Sequence, residues 1–245
     1  MDSLLENENA KDYLSKFDLV LANPPFSGSL VESATNGKIL SITKTKKTEL
    51  LFVALMDMLL KPGGRCMTIV PDGVLTNGNS AFISLREELI DKQKLIGVIS
   101  MPSGIFSSSA KKGSASKGAG VKTSFLIFEK TNNGGTKNVW FYNMTNDGFS
   151  LDVKRTEIEG SNIPDIIDRY KHLDLENDRK RTDQSFMVPV EEIRENGYDL
   201  SFNKYKKIEK QEVSYRSSSD IFGDLEKSYT ESKQLMDSLK KTLGE

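Results

Sequence analysis

The sequence predicts a doubly wound α/β sheet, on three observations. Short apolar runs recur along the first 150 residues without polar–apolar alternation, the pattern of parallel strands covered on both faces. Several are closed by Pro, Gly or Asn, residues that end regular structure. Segments with helical spacing lie between strands, as crossover connections require.

The elements follow in order. Residues 3–15 read as a short helix or an irregular segment. Phe17–Ala22 (FDLVLA) is the first strand, stopped by Asn23-Pro24-Pro25. Gly28–Lys47 is rich in Gly, Ser, Thr and Lys and reads as a surface loop. Glu49–Leu60 places Leu51, Leu55, Met58 and Leu59 at helical spacing and stops at Lys61-Pro62-Gly63-Gly64. Cys66–Val70 is the second strand, closed by Pro71-Asp72-Gly73. Ala81–Leu89 reads as a helix and Leu95–Ser100 as the third strand, closed by Met101-Pro102. Ser107–Gly120 is low in complexity. Thr123–Glu129 and Asn138–Tyr142 are the fourth and fifth strands.

After residue 150 charged residues rise and strand signals fade. Ile163–Tyr170 reads as a helix. Ile221, Leu225, Tyr229, Met236, Leu239 and Leu243 mark an amphipathic helix with a narrow apolar stripe. Packing on its own domain and a coiled-coil-like contact with another subunit both fit that stripe. The division expected is 1–150, a charged mixed extension over 151–215, and a terminal helix over 216–245.

Composition narrows the function classes. The chain has 245 residues and a net charge of −1, without the strongly basic balance of a stand-alone nucleic-acid binder. Lys38, Lys44, Lys46 and Lys47 form one local cluster, and Lys111, Lys112, Lys117 and Lys122 another. Each reads as solvated loop lysines or as phosphate contacts. No apolar run reaches the length of a membrane span. Cys66 is the single cysteine and His172 the single histidine, so an internal disulfide and a Cys/His metal cluster are excluded. Cytoplasmic localisation fits that cysteine usage.

Asn23-Pro24-Pro25-Phe26 carries the chemistry. By itself Asn-Pro-Pro is a strand-ending turn in most proteins. After a buried strand it can do more, because pockets in open α/β sheets lie at the carboxyl ends of strands. An exocyclic amine such as adenine N6 is a poor nucleophile, its lone pair delocalised into the ring. Two acceptors aimed at its two hydrogens favour a pyramidal nitrogen and localise the pair. Asn23 offers a side-chain oxygen and Pro24 a carbonyl. The prolines remove competing N–H donors and hold an extended turn. Phe26 offers a face for the base, which must leave the duplex to reach it.

With its neighbours the motif resembles the N6-adenine DNA methyltransferases, and in particular the modification subunit of type I restriction-modification systems. Asp18–Phe26 is similar to the catalytic motif. Glu49-Leu50-Leu51-Phe52, Leu60–Arg65, Val70–Leu75, Ile99–Phe106, Gly120–Thr123, Trp140-Phe141-Tyr142, Asp147–Asp152 with Lys154-Arg155, and Tyr198–Ser201 follow that family's order over most of residues 17–205. The resemblance implies a Rossmann-like sheet of seven strands in the order 3-2-1-4-5-7-6, of which this chain would hold strands 4 to 7, with the Phe17–Ala22 strand at an open edge. Residues 1–150 would be the carboxyl-terminal half of the catalytic domain. It further implies S-adenosylmethionine as methyl donor, N6-methyladenine in double-stranded DNA as product, no metal, and a specificity subunit and a restriction subunit as partners. Phe106 would be a second aromatic against the flipped adenine; a core phenylalanine is its other reading. Asp2, in Asp2-Ser3-Leu4, would belong to a cofactor motif. Lys111, Lys112 and Lys117 would contact DNA phosphates.

The family's Gly-rich cofactor loop and ribose-binding acid find no counterpart among the 22 residues before Asn23. The expectation is a chain with an incomplete cofactor pocket, inactive alone. Two rivals remain at this point: methylation of a protein glutamine amide, which uses the same four residues, and a non-catalytic module that binds the specificity subunit.

Overall fold

Strands β1 (Phe17–Ala22), β2 (Leu60–Pro71), β3 (Lys94–Ser100), β4 (Thr123–Glu129), β5 (Asn138–Asn143) and β6 (Ser185–Pro189) make one sheet in the order β1-β2-β4-β3-β5-β6. The computed structural model describes residues 4, 13–26, 28–30, 35–106, 121–152, 154–208 and 217–243. The chain forms two units, Met1–Lys207 and Ile208–Glu245.

β1 runs parallel to β2, and β3 to β5, while β4 is antiparallel to both β2 and β3 and β6 is antiparallel to β5. The first four strands therefore stand in the order 4-5-7-6 that the resemblance implies, with the antiparallel seventh strand between the fifth and the sixth. β5 and β6 extend that half-sheet on the far side.

Helices lie on both faces. They are α1 (Gly37–Ile42), α2 (Thr48–Leu59), α3 (Asp72–Thr76), α4 (Ser80–Glu87), α5 (Ile163–Lys171), α6 (Val190–Glu195) and α7 (Phe202–Tyr205); the second unit, described by itself, holds α8 (Ser218–Leu243). α4 runs on into a π-helical turn over Glu88–Lys92. The strict side-chain alternation of β5 separates two cores. Val139 and Phe141 join α2, α4, α6 and α7 in the larger one. Trp140 and Tyr142 join Ile99, Ile127 and α5 in the smaller one. β3 and β5 approach closely because residue 97 is glycine: a Cβ there would lie 2.9 Å from the Trp140 carbonyl oxygen.

A polar network ties α5 to the sheet. The Trp140 indole N–H donates to Glu176 Oε2 at 3.0 Å and Ser185 Oγ donates to the same oxygen at 2.6 Å. Arg169 reaches Glu176 at 2.8 Å and Asp165 at 2.7 Å, and the Tyr142 hydroxyl donates to Asp165 at 2.8 Å. Burial pushes the Asp165 carboxyl up, but the Arg169 and Tyr142 hydrogen bonds outweigh it and hold the pKa below its ordinary value. Burial, and then the bond to Asp165, raise the Tyr142 hydroxyl. Glu176 is 2% exposed, and Trp140, Ser185 and Arg169 supply the hydrogen-bond donors that its burial requires.

The structure departs from the sequence expectation in four places. β6 lies where strand signals fade, with Phe186 and Val188 buried between charged segments. β2 begins at Leu60, so Pro62-Gly63-Gly64 sits inside the strand and not in a turn after the helix. The 28–47 stretch contains α1, capped by the Asn36 side chain accepting from the Lys38 N–H. β1 is not covered on both faces: Val20 and Ala22 pack on the core, while Phe17, Leu19 and Leu21 are 40%, 57% and 68% exposed.

Candidate functional site

Asn23 follows β1 directly, at the carboxyl ends of the parallel strands. β1 is the sheet edge, so no neighbouring strand among the described residues lies on its outer side. Pro24 is buried, Asn23 and Pro25 are exposed, and Phe26 is half-buried. The buried proline anchors the turn while its neighbours face outward. Among the described residues neither the Asn23 side chain nor the Pro24 carbonyl has a hydrogen-bond partner, so both acceptors are free.

The chain beyond the motif is held to the start of α2. Thr48 N–H donates to the Gly28 carbonyl at 3.2 Å, Leu30 N–H to the Lys46 carbonyl at 2.9 Å, and Ser29 pairs with Lys47 in an antiparallel bridge. Gly28 is required by contact: a Cβ there would sit 2.6 Å from the Thr48 hydroxyl oxygen, which is buried without a hydrogen-bond partner.

Phe106 comes from the end of the β3 segment, 80 positions along the chain from Phe26. The two rings meet edge to face, centroids 5.5 Å apart at 75°. Phe106 also packs against the Ile99, Met101 and Ile127 core.

Past the end of β2 a polar cluster is assembled from segments far apart in sequence. Asp72, just after β2, forms an ion pair with Lys122 at 3.1 Å and accepts from Ser124 Oγ at 3.0 Å. The Asp72 N–H donates to the Lys122 carbonyl at 2.9 Å. Arg86, 2% exposed, donates to the Val74 and Asn77 carbonyls at 2.9 Å each and so fixes the turn after Asp72. Burial lowers the Arg86 pKa. Leu200 N–H donates to the Leu75 carbonyl at 3.0 Å, joining the Tyr198–Ser201 motif to the Val70–Leu75 motif. Sequence reasoning found these motifs as an ordered set and missed that Asp72, Lys122 and Ser124 form one cluster. Asp and Lys of opposite sign beside two strand ends were the available signal.

Asp2, Lys111, Lys112 and Lys117 lie outside the described residues. Among the described residues no group of three or more His, Cys, Asp or Glu is placed to hold a metal ion, and no helix is long and apolar enough to cross a membrane.

Comparison with known proteins agrees with this arrangement. The N-6 DNA Methylase family model matches residues 1–214. The StySJI type I methylase subunit of Salmonella typhimurium is 33% identical over 138 residues, covering 54% of this chain and 23% of that protein. The EcoEI type I methylase subunit of Escherichia coli is 25% identical over 203 residues, 82% of this chain and 39% of that protein. The structure of a type I methyltransferase subunit from Streptococcus thermophilus superposes with a TM-score of 0.61 at 24% identity, over 79% of this chain and 39% of that one, and shares the fold. The chain thus spans less than half the length of the relatives it matches here. With the family model matching residues 1–214, the chain belongs to the N-6 DNA methylase family.

Proposed function

We propose that this chain supplies the adenine-binding wall of an S-adenosylmethionine-dependent DNA adenine-N6 methylase of a type I restriction-modification system. The observation that carries the reading is the pair of free acceptors, Asn23 side chain and Pro24 carbonyl, at a strand end beside Phe26 and Phe106. In this reading an adenine flipped from the duplex stacks on the aromatic pair. Asn23 Oδ1 and the Pro24 carbonyl accept its two N6 hydrogens. The nitrogen becomes pyramidal and its lone pair points away from the ring. S-adenosylmethionine, when bound, supplies the activated methyl group. The family match over residues 1–214 favours adenine over the glutamine amide that the four-residue motif alone permits.

The described residues fit the base side of such a site. Those expected to hold the cofactor, Asp2 among them, are not described. The open edge of β1 is where further strands of the sheet would add, and the exposed Phe17, Leu19 and Leu21 form a sheet face left for a covering element. The isolated 245-residue chain is therefore expected to bind S-adenosylmethionine poorly. Micromolar binding by isothermal titration would overturn that part. The catalytic part is tested by Asn23→Ala in an enzyme with a complete sheet. Methylation should fall by around 10²-fold, as for a lost transition-state acceptor, with cofactor affinity little changed.

A docking role accompanies the catalytic one. In α8, Phe222, Leu225, Tyr229, Ser232, Met236, Leu239 and Leu243 follow one another at alternating spacings of three and four, a heptad seam. Ile221 and Leu235 widen it on one side. All of these side chains are exposed. The partner expected is a helix of the specificity subunit, read by co-purification, while the restriction subunit joins the same assembly for cleavage.

A further inference from the structure

A second concave site lies away from Asn23, on the face of the smaller core. It is a cleft of about 580 Å³ between the amino ends of β3 and β5 and the α5 corner. Four cations line it: Arg65, Lys94, Lys137 and Lys171. Asp174 is the only carboxylate in the lining. Arg65 is shared with Glu129 at 3.1 Å, but Lys94, Lys137 and Lys171 form no ion pair among the described residues. On a chain of net charge −1, three unpaired lysines converging on one cleft are a local excess of positive charge. The remaining lining includes Ile96, Leu173, Met187 and Tyr170, an apolar floor with an aromatic side.

The walls are held rigid. Tyr170 and Leu173 flank the segment that Glu176 fixes through Trp140, Ser185 and Arg169. The Tyr170 ring lies 6.3 Å from the buried Trp140 ring. Lys94 and Asn138 are the first residues of their strands, so backbone pairing positions that edge of the cleft. Such a site does not have to be ordered by its ligand.

The site is separate from the methylation motif. Leu19 is level with Arg65, and Arg65 and Lys94 are both level with Glu129. Asn23 therefore lies roughly 13 Å farther along the strand direction and about 14 Å across the sheet from Lys94.

We propose that this cleft binds a nucleoside phosphate, its phosphates among Lys94, Lys137 and Lys171 and its base over Ile96, Leu173 and Met187. A mononucleotide fits because cations and apolar side chains line one concavity. Inorganic phosphate would make no use of the apolar part. The volume is that of an ordinary small-molecule site.

Isothermal titration of the whole chain with ADP, with inorganic phosphate and with a short DNA duplex tests the proposal. Saturable ADP binding is expected, tighter than that of phosphate and weakened by salt. It should fall about tenfold or more in the double variant Lys94→Ala, Lys171→Ala, the loss of two charge-assisted contacts. The same number of changes on α8, Lys227→Ala with Lys240→Ala, should leave it unchanged. All four lysines are exposed, so the variants keep the core intact. Absence of saturable ADP binding, equal loss in the α8 variant, or phosphate binding as tightly as ADP would overturn the proposal. So would duplex binding through the same lysines that ADP does not displace, which assigns the cations to a nucleic-acid backbone.

Discussion

Phe26 and Phe106 pack edge to face, with ring centroids 5.5 Å apart. No base fits between two rings so close, so a flipped adenine would stack on an outer face or part them. On the proposed reading Phe106 would shape the surface that the base meets. In an enzyme with a complete sheet, Phe106→Ala should cost about 1–3 kcal/mol of base stacking. That is roughly a five- to 150-fold loss in kcat/KM. Phe106→Tyr should retain most of the activity. A steady-state methylation assay with unchanged kcat/KM in the alanine variant removes Phe106 from the site and leaves it a core residue only.

Gly28 makes the motif sensitive to a change that adds a single methyl group. A Cβ at position 28 would meet Thr48 Oγ1 at 2.6 Å and Cγ2 at 3.0 Å. Gly28→Ala must therefore push the segment after Phe26 away from α2, at about 1–3 kcal/mol of overpacking. Thr48→Ala removes both offending atoms, so the double variant should recover most of the lost thermal stability and activity. Chemical unfolding of the three proteins checks this. A Gly28→Ala protein as stable as the parent would show that the turn is not held there.

Much of this arrangement was legible beforehand. The TSFLIFE and LIGVIS runs announced themselves because buried strands leave little room for polar residues, and they and FDLVLA each became a strand where one was expected. The order of motifs carried the topology. What stayed hidden depends on tertiary pairing. β6 is only five residues long and lies amid charge, and its burial comes from Phe186 and Val188 meeting Phe141 and Val139. The meeting of Asp72 with Lys122 joins segments whose separation in sequence carries no local signal. The bare side of β1 was also hidden, since Phe17, Leu19 and Leu21 look like core residues in any local reading.

Glu176 should be the most costly single polar change on the smaller core. Its oxygens accept from Trp140, Ser185 and Arg169. Glutamine keeps the shape but turns an NH₂ toward donors and leaves the Arg169 charge partly uncompensated. Glu176→Gln is expected to cost about 3 kcal/mol, as for breaking a buried pair from one side. Trp140 is the only tryptophan, so its emission during urea unfolding reports the loss at the site where it occurs. A shift of the midpoint within error of zero would contradict the network's structural role.

Asp165 contributes a pH-dependent share of the same corner. Its carboxyl is held below the ordinary value despite burial, by Arg169 and the Tyr142 hydroxyl. A depressed carboxylate stabilises the fold above its unfolded pKa, and that contribution fades as pH falls through the folded one. Asp165→Asn should therefore melt below the parent at neutral pH, and the gap should close as pH falls below the ordinary carboxylate range. Melting curves across that range that stay parallel would assign the difference to packing and not to charge.

Leu225, Leu235 and Leu239 of α8 are 59%, 70% and 62% exposed, so replacing them with Asp removes no core packing. If the seam docks on a helix of the specificity subunit, the triple variant should lose co-purification with it. Ser232 offers the opposite test, because it occupies a seam position where the heptad favours an apolar residue. Ser232→Leu should tighten the complex, while the same substitution at Glu231, off the seam, should not. Pull-down and sedimentation of the three variants separate the outcomes. Unchanged binding by the Asp variant, or equal gains from leucine at 231 and 232, would move the interface off this helix.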